Sequence, residues 1–166
     1  MDFASDESEI DMSIDAVKEF LRERGFSGNV IEHEKSTATV AKAAEALNVP
    51  EACIAKSLVV RLGKSEDEAV LVVMCGTSRL DNAKFKARFG KKANMPDADE
   101  VLALTGHPAG GLCPFALARP IPIYMDVSLK ELAVIYPAAG TLNSCIETTP
   151  QELQRLTRAQ WVDVCK

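Results

Sequence analysis

Lys56 is the residue of this chain whose type and position most suggest chemistry. It stands at the start of an apolar strand, in Ile54-Ala55-Lys56-Ser57-Leu58-Val59-Val60. A lysine there either snorkels its ammonium to the sheet edge or points it into a cleft. Edge lysines are common because they discourage unwanted strand pairing. A lysine in a cleft offers a point charge to a phosphate or to a carbonyl oxygen. The loop Gly106-His107-Pro108-Ala109-Gly110-Gly111-Leu112-Cys113-Pro114 is the second feature. Paired glycines let a backbone approach a ligand closely, and the proline three positions later fixes its path. The plain alternative is a connecting loop.

His107 and Cys113 invite a Cys–His hydrolase reading, although closeness in sequence does not by itself bring the two side chains within hydrogen-bond reach. The five cysteines at 53, 75, 113, 145 and 165 include no CxxC pair, and the two histidines have no HxH or HxxxH partner. No metal is expected, and reduced thiols used as small core residues fit better. A third feature is basic. Lys84, Arg88 and Lys91 recur at helical spacing opposite Phe85 and Phe89, on a segment from Arg79 to Lys92 whose one acid is Asp81. Such a face is either a solvated helix surface or a contact to a phosphate backbone.

The elements that must hold these residues read as follows. Ser13 is placed to cap a helix carrying Ile14, Val17 and Leu21, which Gly25 ends. Val30 and Ile31 form a short extended piece. Thr39 to Leu47 is a second helix with Asn48 and Pro50 as its stop, and Pro50 opens a helical turn through Ile54. Ser57 to Leu62 and Ala69 to Cys75 are apolar strands joined by a polar hairpin loop. Asp81 caps a helix to Phe89, and another runs from about Asp97 to Leu104. Ile121 to Val127, Val134 to Tyr136 and Cys145 to Thr148 read as strands, with a capping box Ser128-x-x-Glu131 between the first two. Thr149-Pro150-Gln151-Glu152 is a strong helix start. Hairpins mixed with short helices predict an α+β fold, a curved mixed sheet flanked by helices and not a doubly wound parallel one. No phosphate-cradling glycine motif is present.

Composition bounds the function. With 166 residues, 47% of them apolar and 26% charged, the chain suits one globular domain. Its longest apolar run, Ala69 to Cys75, is too short to cross a bilayer. The segment MDFASDESEIDM is acidic where a targeting peptide is basic, so a cytoplasmic location is expected. Residues 1–12 read as an acidic, disordered tail and 13–166 as the domain. The formal charge of −5 resides in that tail: without Asp2, Asp6, Glu7, Glu9 and Asp11, acids and bases balance at 19 each. An anionic partner therefore remains compatible with the acidic total, because local field guides a ligand.

Taken in order, these segments resemble the YbaK/prolyl-tRNA-synthetase-associated editing-domain family. The likeness covers nearly the whole chain after residue 30. It rests on Thr39 to Pro50, on Ile54-Ala55-Lys56-Ser57-Leu58-Val59, on the Gly106 to Pro114 loop, and on Ala139-Gly140 leading into Thr149-Pro150-Gln151-Glu152-Leu153. The resemblance implies trans-editing, the hydrolysis of an amino acid wrongly esterified to a tRNA, usually tRNA(Pro). It assigns the family's essential lysine to Lys56 and its GxxxP pocket loop to Gly110, Gly111, Leu112, Cys113 and Pro114. His107 and Gly140 join them as substrate-binding candidates, and Lys84, Arg88 and Lys91 as contacts to the acceptor stem. In the cysteinyl-tRNA deacylase branch an acidic residue follows the Ala-Gly pair; here Cys145, beside Ser144, takes that place. Alanine, serine, threonine and 2-aminobutyrate thus stand beside cysteine as candidate amino acids.

An aminoacyl ester is already activated, so positioning a water and stabilising the oxyanion can suffice. No cofactor is expected. The expected partner is the acceptor end of a mischarged tRNA, with a homodimer or association with a synthetase left open and no membrane partner. Two rivals stand beside this reading: a tRNA-binding module without hydrolytic activity, and a thiol hydrolase dependent on Cys113.

Overall fold

The computed structural model describes residues 3–65 and 68–166, the first ten of them by backbone alone. In chain order the elements are α1 (Phe3–Glu23), β1 (Ile31–Glu32), α2 (Val40–Leu47), β2 (Ile54–Leu62), β3 (Ala69–Cys75), α3 (Asn82–Phe89), β4 (Ala93–Asn94), α4 (Ala98–Thr105), β5 (Ile123–Asp126), β6 (Tyr136–Pro137), β7 (Ser144–Cys145), α5 (Pro150–Thr157) and β8 (Gln160–Val162). The fold is α+β, as the mixture of hairpins and short helices predicts.

A mixed sheet forms the centre. β3 pairs antiparallel with β2 on one side and parallel with β5 on the other, and β8 continues parallel beyond β5. The outer edge of β2 is shared: β4 pairs antiparallel with its end and β6 parallel with its start. β1 and β7 make a separate two-stranded ribbon, Ile31 opposite Cys145. All seven residues of β3 are buried, as a central strand covered on both faces must be.

Strand alternation splits the core in two. Ala55, Val59, Leu71, Val73 and Cys75 face the larger cluster, with Val17 and Leu21 of α1, Val101 and Leu104 of α4, and Leu153 and Leu156 of α5. Val60, Val70, Val72 and Met74 face the other cluster, with Phe85 of α3. Each of these buried Val, Leu, Met and Phe side chains contributes roughly 1.5–3 kcal/mol of apolar transfer free energy. The short α2 closes the end of the sheet, packing Ala43 and Ala44 against Ile54 and Tyr136.

The helix ends follow their sequence signals. Thr39, Asp81, Asp97 and Thr149 each accept a hydrogen bond from the backbone N–H three residues on. Asn48, Gly90 and Gly106 end their helices in the left-handed region.

Two expectations need correction, and one element goes unanticipated. Ser13 caps nothing, because α1 already runs through it from Phe3 and so takes in most of the segment read as a tail. The sequence accounts for this: Phe3, Ile10, Ile14, Val17 and Leu21 keep a helical apolar period across Ser13. The cap after β5 is Asp126, not Ser128: a carboxylate oxygen of Asp126 accepts from the Ser128 N–H at 2.8 Å, and its other oxygen from Val164 N–H at 2.9 Å. The Ser128 hydroxyl instead accepts from the Cys75 N–H. Finally, β8 has no clear signal in the sequence; its short run gains strand geometry only by pairing Trp161 with Met125. Among the described residues no helix is long and apolar enough to cross a membrane.

Candidate functional site

A cavity of about 140 Å³ lies where α2, the start of β2, the 106–114 loop and β6–β7 converge. Thr37, Thr39, Ala43, Ala55, Lys56, Ser57, Gly110, Leu112, Tyr136, Ala138, Ser144 and Cys145 are among its lining residues. Small apolar and hydroxyl side chains dominate. Among the described residues Lys56 brings the one full charge, and no carboxylate lines the space.

Lys56 is half-buried. Its register partner is Met74, so its stem leaves the sheet on the face of Leu58 and Val60. There its ammonium donates to the Ser78 carbonyl. No acidic side chain among the described residues forms a salt bridge with it. Ser57, one residue on, belongs to the opposite face with Ala55 and Val59. Its hydroxyl oxygen is buried against the cavity and has no hydrogen-bond partner among the described residues.

The glycine loop opposes them. Ala109–Gly111 form a single 3₁₀ turn, and Gly110 and Leu112 face the cavity. Gly111 faces away. A Cβ on it would lie 2.7 Å from the Thr141 backbone, and its carbonyl accepts from the Gly140 N–H at 3.1 Å. Gly140 has φ of +99°, and a Cβ there would meet Ser13 Oγ at 2.8 Å. The two glycines therefore let three chain segments touch, which a side chain at either position prevents.

His107, Cys113 and Pro114 are buried behind the loop and do not line the cavity. The histidine and cysteine do approach one another, with Cys113 Sγ 3.5 Å from His107 Nε2. That nitrogen is already 2.6 Å from the Phe115 carbonyl, so it carries the proton and donates it there. Nδ1 then accepts from the Ser13 hydroxyl. Complete burial pushes the Cys113 thiol up to about 12, against a small opposing effect of its bond to Phe115. A protonated, sealed sulfur with no base free to take its proton is a poor nucleophile.

The expected basic helix face is only partly present. Lys84 and Arg88 lie on α3, but Gly90 ends that helix in the left-handed region and Lys91 falls beyond it. Both lysines are engaged. Lys84 bonds Asp163 and the Cys165 carbonyl, both at 2.9 Å. Lys91 bonds Glu68 at 2.7 Å. Arg88 has no carboxylate partner among the described residues; its guanidinium sits 5.1 Å and 5.5 Å from the Phe89 and Tyr124 ring centres.

Several lining residues do not stand out in the sequence: Thr37, Ser57, Tyr136 and Ser144. Only Ser57, next to the singled-out lysine, carries a local signal. His33 is equally silent there; its Nε2 lies 3.4 Å from the Cys145 sulfur. Burial and the nearby Glu147 charge push that thiol up to about 11, so it stays protonated at neutral pH.

Comparison with known proteins bears on this geometry. Residues 34–156 match the family described as the aminoacyl-tRNA editing domain. The Bacillus subtilis (strain 168) protein YwhH is 44% identical over 93% of this chain and 98% of its own. An Enterococcus faecalis (strain ATCC 700802 / V583) protein, EbsC, named as a Cys-tRNA(Pro)/Cys-tRNA(Cys) deacylase, is 30% identical over 73% of each chain. A crystal structure described as a trans-editing enzyme for prolyl tRNA synthetase superposes with a TM-score of 0.83. It is 34% identical, over 93% of this chain and 97% of that one.

Proposed function

Since this chain belongs to the aminoacyl-tRNA editing domain family, we propose that it is a trans-editing deacylase. On this reading it hydrolyses the ester of a mischarged tRNA, tRNA(Pro) carrying a small amino acid. The observation that carries the reading is the meeting of Lys56, the Gly110 wall and a small cavity at one end of the sheet.

The chemistry asks little of the protein. A water adds to the ester carbonyl, the bond to the ribose oxygen breaks, and that oxygen leaves as the 3′-hydroxyl after taking a proton. The amino acid departs as a carboxylate. Lys56 holds the terminal phosphate or the ester, exchanging its bond to the Ser78 carbonyl for one to substrate. A flexible four-carbon stem permits that exchange. The ammonium also opposes the negative charge that develops on the carbonyl oxygen. Gly110 and Leu112 wall the side-chain pocket, and the Ser57 hydroxyl finds in the substrate the partner it lacks. The face of Lys84, Arg88 and Lys91 meets the acceptor stem.

A cavity of about 140 Å³ ringed by alanines suits an alanine, serine, threonine, cysteine or 2-aminobutyrate side chain. A synthetase cannot exclude such near-isosteres by binding alone, because one methylene is worth only about 1–3 kcal/mol. A second sieve is the physical answer. The test is a panel of tRNA(Pro) charged with each of these amino acids, assayed with wild type and with Lys56→Ala. The expected result is ester loss on at least one substrate with wild type and a loss of at least about 100-fold in the variant. Wild-type rates in Lys56→Ala, with its fold intact, overturn the role given to the lysine. Tight tRNA binding without hydrolysis points instead to a binding module.

A further inference from the structure

An aminoacyl ester differs from most esters in carrying a primary ammonium on the carbon next to the carbonyl. The described cavity lining offers it nothing of opposite charge, and Lys56 repels it. A carboxylate does stand beside that lining, on the exposed Glu147. Its Oε1 accepts a hydrogen bond of 2.9 Å from the hydroxyl of Tyr136, a lining residue. Its charge also acts on the thiol of Cys145, another lining residue. Partial burial and the Glu147 bond both raise the Tyr136 phenol above its ordinary range, so it remains a donor and holds the carboxylate in place. No lysine or arginine among the described residues pairs with Glu147. It is therefore an oriented, exposed anion whose second oxygen has no hydrogen-bond partner among the described residues.

Its position relative to Lys56 is set by the sheet. Tyr136 pairs with Ile54 in the parallel ladder, one strand across and two residues along from Lys56. At ordinary strand dimensions that is roughly 8 Å between backbones. The cavity thus has a cationic edge on β2 and an anionic edge beyond β6.

We propose that Glu147, positioned by Tyr136, receives the α-ammonium of the aminoacyl group and makes the site selective for esters with a free amine over N-acylated ones. This rests on the deacylase reading and deepens it. With the substrate ammonium at Glu147 and the ester or phosphate at Lys56, the two cations lie at opposite ends of the site. The carbonyl then has a fixed orientation between them. An N-acylated aminoacyl-tRNA lacks that charge and leaves the carboxylate unpaired.

Binding of two non-hydrolysable probes, 3′-alanylamino-3′-deoxyadenosine and its N-acetyl derivative, tests this by calorimetry on the full chain. Wild type is expected to prefer the free amine by about tenfold, as for a charge-assisted hydrogen bond at a half-open site. In Glu147→Gln that ratio falls to within about twofold, with binding of the acetyl probe unchanged. Tyr136→Phe, which frees the carboxylate to rotate, gives an intermediate ratio. Equal weakening of both probes in Glu147→Gln assigns the residue a structural role and overturns the proposal. So does a wild type with no preference, or one that binds neither probe. Hydrolysis is scored separately: preferential binding without ester loss defeats the deacylase reading and leaves the ammonium site standing. Melting temperatures of both variants confirm that they fold.

Discussion

Ser13 Oγ lies 2.5 Å from Nδ1 of His107, with both side chains buried, and this contact ties α1 to the loop that walls the cavity. His107 passes the connection on through Nε2 to the Phe115 carbonyl. The hydroxyl also fills the space that the missing Cβ of Gly140 leaves open. Neither of these two side chains lines the cavity, yet their contact joins α1 to the loop that carries Gly110.

The pairing predicts a pH-dependent stability. Burial lowers the His107 pKa below its ordinary value, the Phe115 bond opposing only in part. The unfolded chain therefore takes up this proton at a higher pH than the folded one, so stability is complete above the unfolded pKa of about 6.5 and declines as pH falls through it. Protonation also gives Nδ1 a hydrogen and ends its role as acceptor for Ser13. Melting temperatures between pH 8 and 5 should fall toward acid in wild type. His107→Gln should flatten that trend. An equally steep trend in the variant assigns it to other groups.

Ser57→Ala should separate stability from activity. The hydroxyl has no protein partner among the described residues and is buried, so removing it leaves stability unchanged or raised, by up to about 1 kcal/mol. If the hydroxyl meets substrate, kcat/KM for the preferred mischarged tRNA falls about tenfold, and Ser57→Thr restores most of it. Lower stability with unchanged kinetics removes Ser57 from the site.

Lys84 and Arg88 of α3, and Lys91 just past its cap, should contribute unequally to tRNA binding. Lys84 and Lys91 must give up Asp163 and Glu68, whereas Arg88 has no described ion pair to break. Arg88→Ala should therefore weaken binding most. Removing one cation that meets a phosphate should reduce the slope of log K against log salt by about 0.7–0.9. A slope unaltered in the triple alanine variant places the acceptor stem elsewhere.

Cys113 should resist alkylation. Its thiol is fully buried and its pKa stands at about 12, whereas Cys53 is partly exposed. Iodoacetamide followed by mass spectrometry should label Cys53 in the native protein and Cys113 only after unfolding. Cys113→Ser should retain deacylation. Loss of activity in that variant, with its fold intact, favours the thiol hydrolase.

What the sequence determined is what short-range physics encodes. Asp81 before Asn82, Thr149 before Pro150 and Gly90 after Phe89 mark helix ends, because caps satisfy backbone groups within three residues. The β-branched runs around Val59 and Val72 mark the central hairpin, and the segments around Lys56 and Gly110 identify the family. Tertiary structure decided the rest. Only the register of β2 against β3 sends the Lys56 stem to one face of the sheet and the Ser57 hydroxyl to the other. Only the fold carries Tyr136 and Cys145 to the cavity that Lys56 borders, across 80 residues or more of chain. The same folding turned His107 and Cys113 inward, because a 3₁₀ turn containing two glycines points its neighbours where backbone contacts allow. Side-chain direction in a loop depends on what packs behind it, and no local pattern of residues encodes that.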